Sequence, residues 1–462
     1  MDEPALPLPL GLNESNEPAL PSGLGLPTDD DSGSEPSLPA GLFGSAEDED
    51  QPEHDSGSPD DAGLGLTGFW ETRVGTRLKD DHYEKETSIL EARLQLEFER
   101  PFKSVLFNFT GDLLYDHPVN RDEIVLEEGK GWFDLRAASF SLSLSPETDL
   151  KIGRQVLTWG TGDMLFINDL FPKDWNSFFI GRDDEYLKAP SDAVKISIYK
   201  EFTNIDFVYT PRFDPDRFID GSRISYWNGT LGRRAGTDAV VAVEKPDRWE
   251  NDHEIALRLF KNMQGDEWAL YAYQGYWKSP RGQNAATGKA TYPELFAYGF
   301  SYRGAMGQGI GSLESGYYDS EGDRGGDNPF IKNSEFRFLA GYEQELAKNV
   351  TGSFQYYCEY MMDYGEYLAS LPAGARAAHE YRHLVSFRLT RLMWDQNLTL
   401  SLFTYFSPSE SDAYFRPKVH YKMDDNRALE IGANLFTGDY DHTFFGQFHH
   451  NSNVYAAYRY SF

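Results

Sequence analysis

From Leu66 onward the chain alternates apolar and polar residues with a period of two, the pattern of strands whose two faces meet different surroundings. Leu90, Ala92, Leu94, Leu96 and Phe98 share one parity, and Glu91, Arg93, Gln95, Glu97 and Glu99 share the other. Val105, Phe107 and Phe109 stand against Asn108, Thr110 and Asp112, and Phe140, Leu142 and Leu144 against Ser139, Ser141, Ser143 and Ser145. The rhythm recurs in Ile255/Leu257/Leu259, Phe296/Tyr298/Phe300/Tyr302, Phe354/Tyr356/Cys358/Tyr360, Leu398/Leu400/Leu402 and Val454/Ala456/Tyr458/Tyr460/Phe462. The segments run about 9–15 residues, longer than a usual soluble strand and long enough to cross a bilayer at a tilt.

The connections sort by length. Short turns fall near residues 100–102, 146–147, 201–204, 264–266, 307–308, 347–348, 394–396 and 424–426. Long polar or Gly-rich links lie near 116–132, 158–190, 212–249, 279–292, 320–332, 363–378 and 438–451, with compact ones near 79–85 and 407–412. This predicts an all-β chain over residues 66–462, an 18-stranded antiparallel up-and-down transmembrane β-barrel with both ends on the short-turn side. Closure is required because an unpaired backbone group in lipid costs several kcal/mol, so a spanning sheet has no edge. The apolar parity is then expected to face lipid and the polar parity the interior. Tyrosines and tryptophans near strand ends, Tyr271, Tyr273, Tyr276 and Trp277 or Tyr455, Tyr458 and Tyr460, are expected in the headgroup girdles.

Composition sharpens this picture. The net charge of −31 opposes binding to a phosphate backbone, so no nucleic acid is expected as a partner. A single cysteine, Cys358, excludes an intramolecular disulfide framework and a Cys-based metal site, and no apolar run is long enough for a membrane helix. Residues 1–65 hold 16 Asp and Glu and no Lys or Arg, with loose repeats at Glu3–Pro7, Glu17–Pro21 and Glu35–Pro39. Such a segment cannot bury enough apolar surface to order itself, and is expected to be a disordered acidic tail, a spacer or a docking arm for a periplasmic partner. Met1-Asp2-Glu3 opens without a basic or apolar leader, which suits a mature form whose signal peptide has been removed.

The last strand, closing with Tyr458, Tyr460 and a terminal Phe462, resembles the signal by which Gram-negative outer-membrane proteins are recognised by the barrel-assembly machinery. Leu150-Lys151-Ile152-Gly153-Arg154-Gln155, then Trp159-Gly160 and Asn168-Asp169-Leu170-Phe171-Pro172-Lys173-Asp174, resemble the porin-like family that includes the alginate-export barrels. The resemblance covers 66–462 as architecture and about 150–225 as motif. It implies a passive channel or exporter among outer-membrane lipid and lipopolysaccharide, with a long loop folded toward the pore. The alginate porins have a strongly arginine-lined lumen, whereas the inner parity here mixes Arg73, Arg77, Arg93, Arg258, Arg303, Arg337 and Arg388 with Glu71, Glu97, Glu254, Glu314, Glu335 and Glu359.

The expected constriction is the loop at about 158–190, with Arg154, Gln155, Trp159, Asp169, Arg182, Asp183, Asp184, Glu185 and Lys188 presented to solutes. Arg154 shares the lipid-side parity of Leu150 and Ile152; a bulge would turn it inward, and otherwise it belongs at headgroup level. A second candidate is a basic stripe, Arg416, Lys418, His420 and Lys422 on one strand with Arg382 and Arg388 two strands earlier. It either draws anions or pairs with lumen carboxylates. His379-Glu380-Tyr381-Arg382-His383 spells H-E-x-x-H, but on a strand its two histidines stand about 13 Å apart and cannot share a metal. Asp319-Ser320-Glu321-Gly322-Asp323 with Asp327 is a loose calcium-like loop. No cofactor and no enzyme activity are expected. The rival readings are a plugged barrel whose tail docks a periplasmic or inner-membrane transporter to hand over lipid or other apolar cargo, and a soluble all-β sugar-binding enzyme rich in aromatics.

Overall fold

Alternating sequence leaves each strand with one face for lipid and one for the interior, and the computed structural model, which describes residues 65–119 and 123–462, realises this around a full ring. The strands are β1 Thr67–Arg77, β2 Thr87–Phe102, β3 Val105–Asp116, β4 Phe133–Ser145, β5 Thr148–Val156 and β6 Pro190–Tyr199. They continue as β7 Asn204–Thr210, β8 Glu254–Met263, β9 Asp266–Tyr276, β10 Glu294–Met306, β11 Gly309–Ser320 and β12 Glu335–Ala347. The last six are β13 Val350–Met361, β14 Tyr381–Met393, β15 Leu398–Ser407, β16 Asp412–Lys422, β17 Arg427–Gly438 and β18 Asn453–Ser461. Each pairs antiparallel with the next, and β18 pairs back onto β1 from Phe69↔Ser461 to Arg77↔Asn453. Reciprocal bonds between Gly68 and Phe462 finish the seam at 3.1 and 3.0 Å. The expected closed 18-stranded antiparallel barrel is the fold. The acidic tail lies outside the described residues.

The two parities divide as lipid and interior demand. On β2, Glu91, Arg93 and Gln95 are buried inside, while Leu90 is 41% exposed on the outer face. Val74, Phe140, Tyr298, Phe354 and Ile431 continue the apolar exterior. An exposed apolar residue stands beside every one of the eight short turns: Phe102, Leu144, Phe202, Met263, Met306, Leu346, Trp394 and Met423. That ring marks one edge of the apolar belt, where aromatic and apolar side chains meet headgroups.

Part of the expected girdle is instead interior. Tyr271, Tyr273, Trp277 and Tyr455 are all under 10% exposed and belong to the buried cluster, whereas Tyr458 and Tyr460 keep the outer parity. Composition near strand ends cannot assign a face; the register does, because a one-residue step reverses every side chain.

The interior is filled rather than open. The buried apolar cluster combines inward wall residues such as Ala256, Tyr271, Leu295, Tyr318, Leu339, Tyr405 and Tyr414 with residues of the loop between β5 and β6. Outer links add Ile219 and Ile224 from the 211–253 link, and Phe444, Phe445 and Phe448 from the 439–452 link. Small sheets in the outer links pair Tyr226–Asn228 with Arg233–Ala235, and Ala290–Thr291 with both Val243–Glu244 and Gly282–Gln283.

Candidate functional site

The loop of residues 157–189 folds into the barrel, and its own sequence explains why it stays there. Met164-Leu165-Phe166-Ile167 and Phe178-Phe179-Ile180 are apolar runs that water would penalise, and all seven side chains are at most 2% exposed. A short helix, α1 Trp175–Ile180, is capped by the Asp174 carboxylate, which accepts from the Ser177 N–H at 2.8 Å, and is ended by Gly181 at φ 86°. At its base the loop is cross-tied: Asp174 N–H donates to the Leu187 carbonyl at 2.7 Å, and Ala189 N–H to the Pro172 carbonyl at 3.1 Å.

The first half, residues 160–168, is held through its backbone by one arc of the wall. Glu314 accepts from the N–H groups of Thr161 and Gly162, the latter at 3.0 Å, and from the Asn168 amide at 3.2 Å. The hydroxyls of Tyr318 and Tyr405 donate to the carbonyls of Ile167 and Met164. Gly299 and Gly316 face each other across β10 and β11, and a Cβ on either would collide with Asn168 or Ile167. Beyond this half, α1 packs into an aromatic nest: Phe179 lies 5.5 Å from Tyr414 and 5.1 Å from both Phe436 and Phe448, ring centre to ring centre.

The tip, Arg182 to Tyr186, is held by charge on the opposite arc. Arg182 meets Glu91 at 2.6 Å and Asp116 at 3.4 Å. Asp184 pairs with Arg416 and lies 3.6 Å from Lys418. Arg459 meets Asp183 at 3.2 Å and Glu185 at 3.9 Å. The Tyr186 ring is covered by the guanidinium groups of Arg93 and Arg136 at 4.0 and 4.7 Å, and its hydroxyl accepts from Gln95 at 3.0 Å. Behind the tip the wall charges pair among themselves, as Arg73 does with Glu71 and Glu430 at 3.0 and 2.9 Å.

The other candidates fall as follows. Trp159 packs edge-on to Phe171 at 4.9 Å; Asp169 pairs with Lys173 at 3.0 Å and accepts from Thr158 at 2.7 Å. Gln155 is inward and donates to the Ala193 carbonyl at 3.1 Å. Arg154 keeps the outer parity, since pairing through Ala138 and Asp192 runs on without a bulge; it meets Asp192 at 3.0 Å and the Leu126 carbonyl at 2.8 Å at the rim. The basic stripe points inward and meets carboxylates: Arg388 with Asp163 at 2.7 Å, Arg382 with Glu359 at 3.3 Å, and Lys418 and His420 with Glu430 at 3.8 and 3.7 Å. Lys422 is exposed at the short-turn end. Phe462 lies on the seam beside Gly68.

The H-E-x-x-H histidines part company: His379 precedes β14, which starts at Tyr381, and only His383 lies on the strand. His379 lies 3.9 Å from Glu410, while His383, on β14, shares a hydrogen bond with the Tyr356 hydroxyl at 2.8 Å. Asp319 binds Arg324 at 3.0 Å, and Asp323 accepts from the Asp327 and Asn328 N–H groups at 3.2 and 3.0 Å. Sequence reasoning missed the apolar body of the loop and the aromatic wall that receives it. The signal was present: two apolar runs in a link otherwise read as polar, opposite a wall whose inner parity carries Ala193, Ala256, Ala269, Ala297, Gly299 and Gly316.

The loop charges differ in how firmly they are ionised. Arg416 and Lys418 hold the Asp184 carboxyl down at about 2 against the effect of burial. Glu185 is pushed up to about 7 by burial and by Asp183, with Asp112 adding and Arg459 and Arg136 opposing. Lys188 is brought down to about 8 by burial, helped by Lys173 and opposed by Asp169. Docking the loop therefore raises the Glu185 pKa from its ordinary 4.5, so the docked state takes up a proton. Its docking is firmest below pH 4.5 and weakens as pH rises to about 7, while Asp184 stays ionised across that window. Loop docking, read as protection of residues 157–189 from protease in the reconstituted barrel, is thus expected to loosen between pH 4.5 and 7, and Glu185→Gln to flatten that change. A profile unchanged by the substitution would remove Glu185 from the loop's pH response.

No family model matches the chain, and no curated protein matches it. Among solved structures, a mutant form of the Rhodopseudomonas blastica porin aligns over 86% of this chain and 99% of that one, with 10% identity and a TM-score of 0.38. Pseudomonas aeruginosa OccK11 (OpdR) aligns over 86% and 96%, with 10% identity and a TM-score of 0.47. Likeness at this level is too slight to bear weight, and the barrel rests on its own strand pairing.

Proposed function

We propose that this chain is a porin-like channel of the bacterial outer membrane, passing small polar or charged solutes without an energy source, with residues 157–189 as its gate. One observation carries the reading: a barrel without an edge, apolar outside, encloses a wall of Arg, Lys, Glu and Asp faced by a loop whose tip is held by ion pairs. A wall meant only for packing would be apolar, because buried ion pairs give little net stability over well-packed apolar residues. Charges that line a lumen instead set which solutes enter it.

The rival, a conduit for lipid or other apolar cargo, needs an apolar track from end to end. Toward the short-turn end the inner parity turns polar, with Arg258 paired to Glu267 at 2.7 Å and Ser301, Arg303, Glu343, Ser353 and Thr390 beyond it. The channel reading is therefore preferred. With it go contact of the outer belt with lipid and lipopolysaccharide, recognition of Tyr458, Tyr460 and Phe462 by the barrel-assembly machinery, and a periplasmic role for residues 1–65.

Planar-bilayer recording of the purified full chain in asymmetric salt tests the proposal, with a second preparation lacking residues 1–65. Small discrete current steps with a nonzero reversal potential are expected from both. A silent bilayer, including after removal of the loop, would refute the channel.

A further inference from the structure

The wall treats the loop tip as it would treat a ligand. Arg182 places a cation between Glu91 and Asp116, and two residues on Asp184 places an anion between Arg416 and Lys418. The wall thus holds two subsites of opposite sign. The first is made of side chains from β2 and β3, the second of side chains from β16 with Glu430 of β17 behind them. Glu91 and Asp116 are further paired with Arg93 and Arg223, and Lys418 with Glu430, so each subsite is a fixed polar cradle before the tip arrives.

The two halves of the loop are attached by different physics. Residues 160–168 are bound through backbone groups to Glu314, Tyr318 and Tyr405, and α1 is packed among aromatic rings. Moving either would expose apolar surface and strand buried polar groups, with nothing to replace what is lost. The tip follows Gly181, whose φ of 86° suits glycine; its side chains are held by ion pairs and by the cover of Arg93 and Arg136 over Tyr186, and its carbonyls at Gly181, Arg182 and Glu185 accept from the wall cations Arg73, Arg416 and Arg136. A solute that replaces the Arg182 and Asp184 pairs leaves Glu91, Asp116 and Arg416 compensated, and Arg459, which loses Asp183 and Glu185, keeps Glu71 at 3.0 Å, so a charged solute can take the place of the tip at small net cost.

We propose that the Glu91/Asp116 and Arg416/Lys418 subsites form the solute-binding site of the lumen, that its solutes are small zwitterions, and that Arg182 and Asp184 are a built-in competitor for it. This rests on the channel reading above. The zwitterion follows from the shortness of the tip. Arg182 and Asp184 are separated by one residue, so lifting one lifts the other; an anion alone would leave Glu91 and Asp116 without the charge of Arg182, while a cation alone would leave Arg416 without the carboxylate of Asp184 and Lys418 with Glu430 only.

The test is tracer uptake by proteoliposomes holding the full chain, with 6-aminohexanoate as zwitterion, gluconate as anion and arabinose as neutral solute. The wild type is expected to pass 6-aminohexanoate severalfold faster than arabinose or gluconate. The double variant Arg182→Ala, Asp184→Ala should raise uptake of all three while keeping the zwitterion ahead, because the cradle remains. Glu91→Gln with Arg416→Gln should erase the preference and, because it removes the partners that hold Arg182 and Asp184, raise arabinose uptake as well. Equal uptake of 6-aminohexanoate and arabinose in both the wild type and the tip variant overturns the site and leaves the channel standing. Gluconate as fast as 6-aminohexanoate overturns the zwitterion class. No arabinose uptake even in the tip variant overturns the channel reading itself. Heat-modifiable migration of each variant confirms that its barrel has closed.

Discussion

Replacing residues 160–187 by a short Gly/Ser linker is expected to raise single-channel conductance severalfold and to flatten ion selectivity. The loop occupies the interior with Phe166, Ile167, Trp175, Phe178 and Phe179, and its tip, Arg182 to Glu185, is ion-paired to the wall. Removing it leaves the strand ladder untouched, because that ladder closes on itself from β1 to β18. What the deletion does cost is the apolar burial between loop and wall, so the variant should unfold at lower temperature yet still migrate as a closed barrel. A conductance equal to that of the full chain, measured on such a closed barrel, would mean that the loop does not gate. Loss of barrel migration would shift the question to the tip variants, which keep the packed body of the loop.

The second large effect concerns the two faces of a single strand pair. Leu94→Arg places a guanidinium on the outer face of β2, where Leu94 stands opposite Trp70 and Leu113. A charge there should destabilise the folded barrel by about 2–4 kcal/mol, as for Arg near the midplane of a lipid-facing wall. Thr110→Arg adds the same charge one strand away, but on the inner face, opposite Glu97. That variant should unfold within about 1 kcal/mol of the wild type, since the added cation meets a carboxylate and not acyl chains. Urea unfolding from lipid vesicles, read by tryptophan fluorescence, gives both values. If the two substitutions cost the same, the assignment of faces fails, and with it every functional reading above.

Much of the site was legible because charged residues have few places to go in such a fold. Arg93, Glu91, Arg337 and Glu335 alternate with apolar neighbours, and a lipid-facing exterior leaves them only the interior. The basic stripe on β16 was readable for the same reason, as one parity of one strand. Which carboxylate each cation would meet was not, because Asp184 and Asp163 come to Arg416 and Arg388 from a link more than two hundred residues earlier in the chain. Nor could parity alone settle Tyr271 and Tyr273 against Tyr458 and Tyr460. All four are aromatic residues in alternating strands, and only the pairing of β9 with β8 and β10 places the first two inside.

The amino-acid sequence by itself determined the strand count, the sorting of short and long links and the sign of each face. These follow from a period-two pattern and from the cost of an open edge in lipid, both of which are local or universal. The tertiary structure alone decided that the interior is filled, that one half of the loop is bound by backbone contacts and the other by charge, and that Arg154 stays at the rim. Those outcomes depend on which wall lies opposite a given loop residue. That is fixed by the closure of the whole ring, and no stretch of the chain contains it.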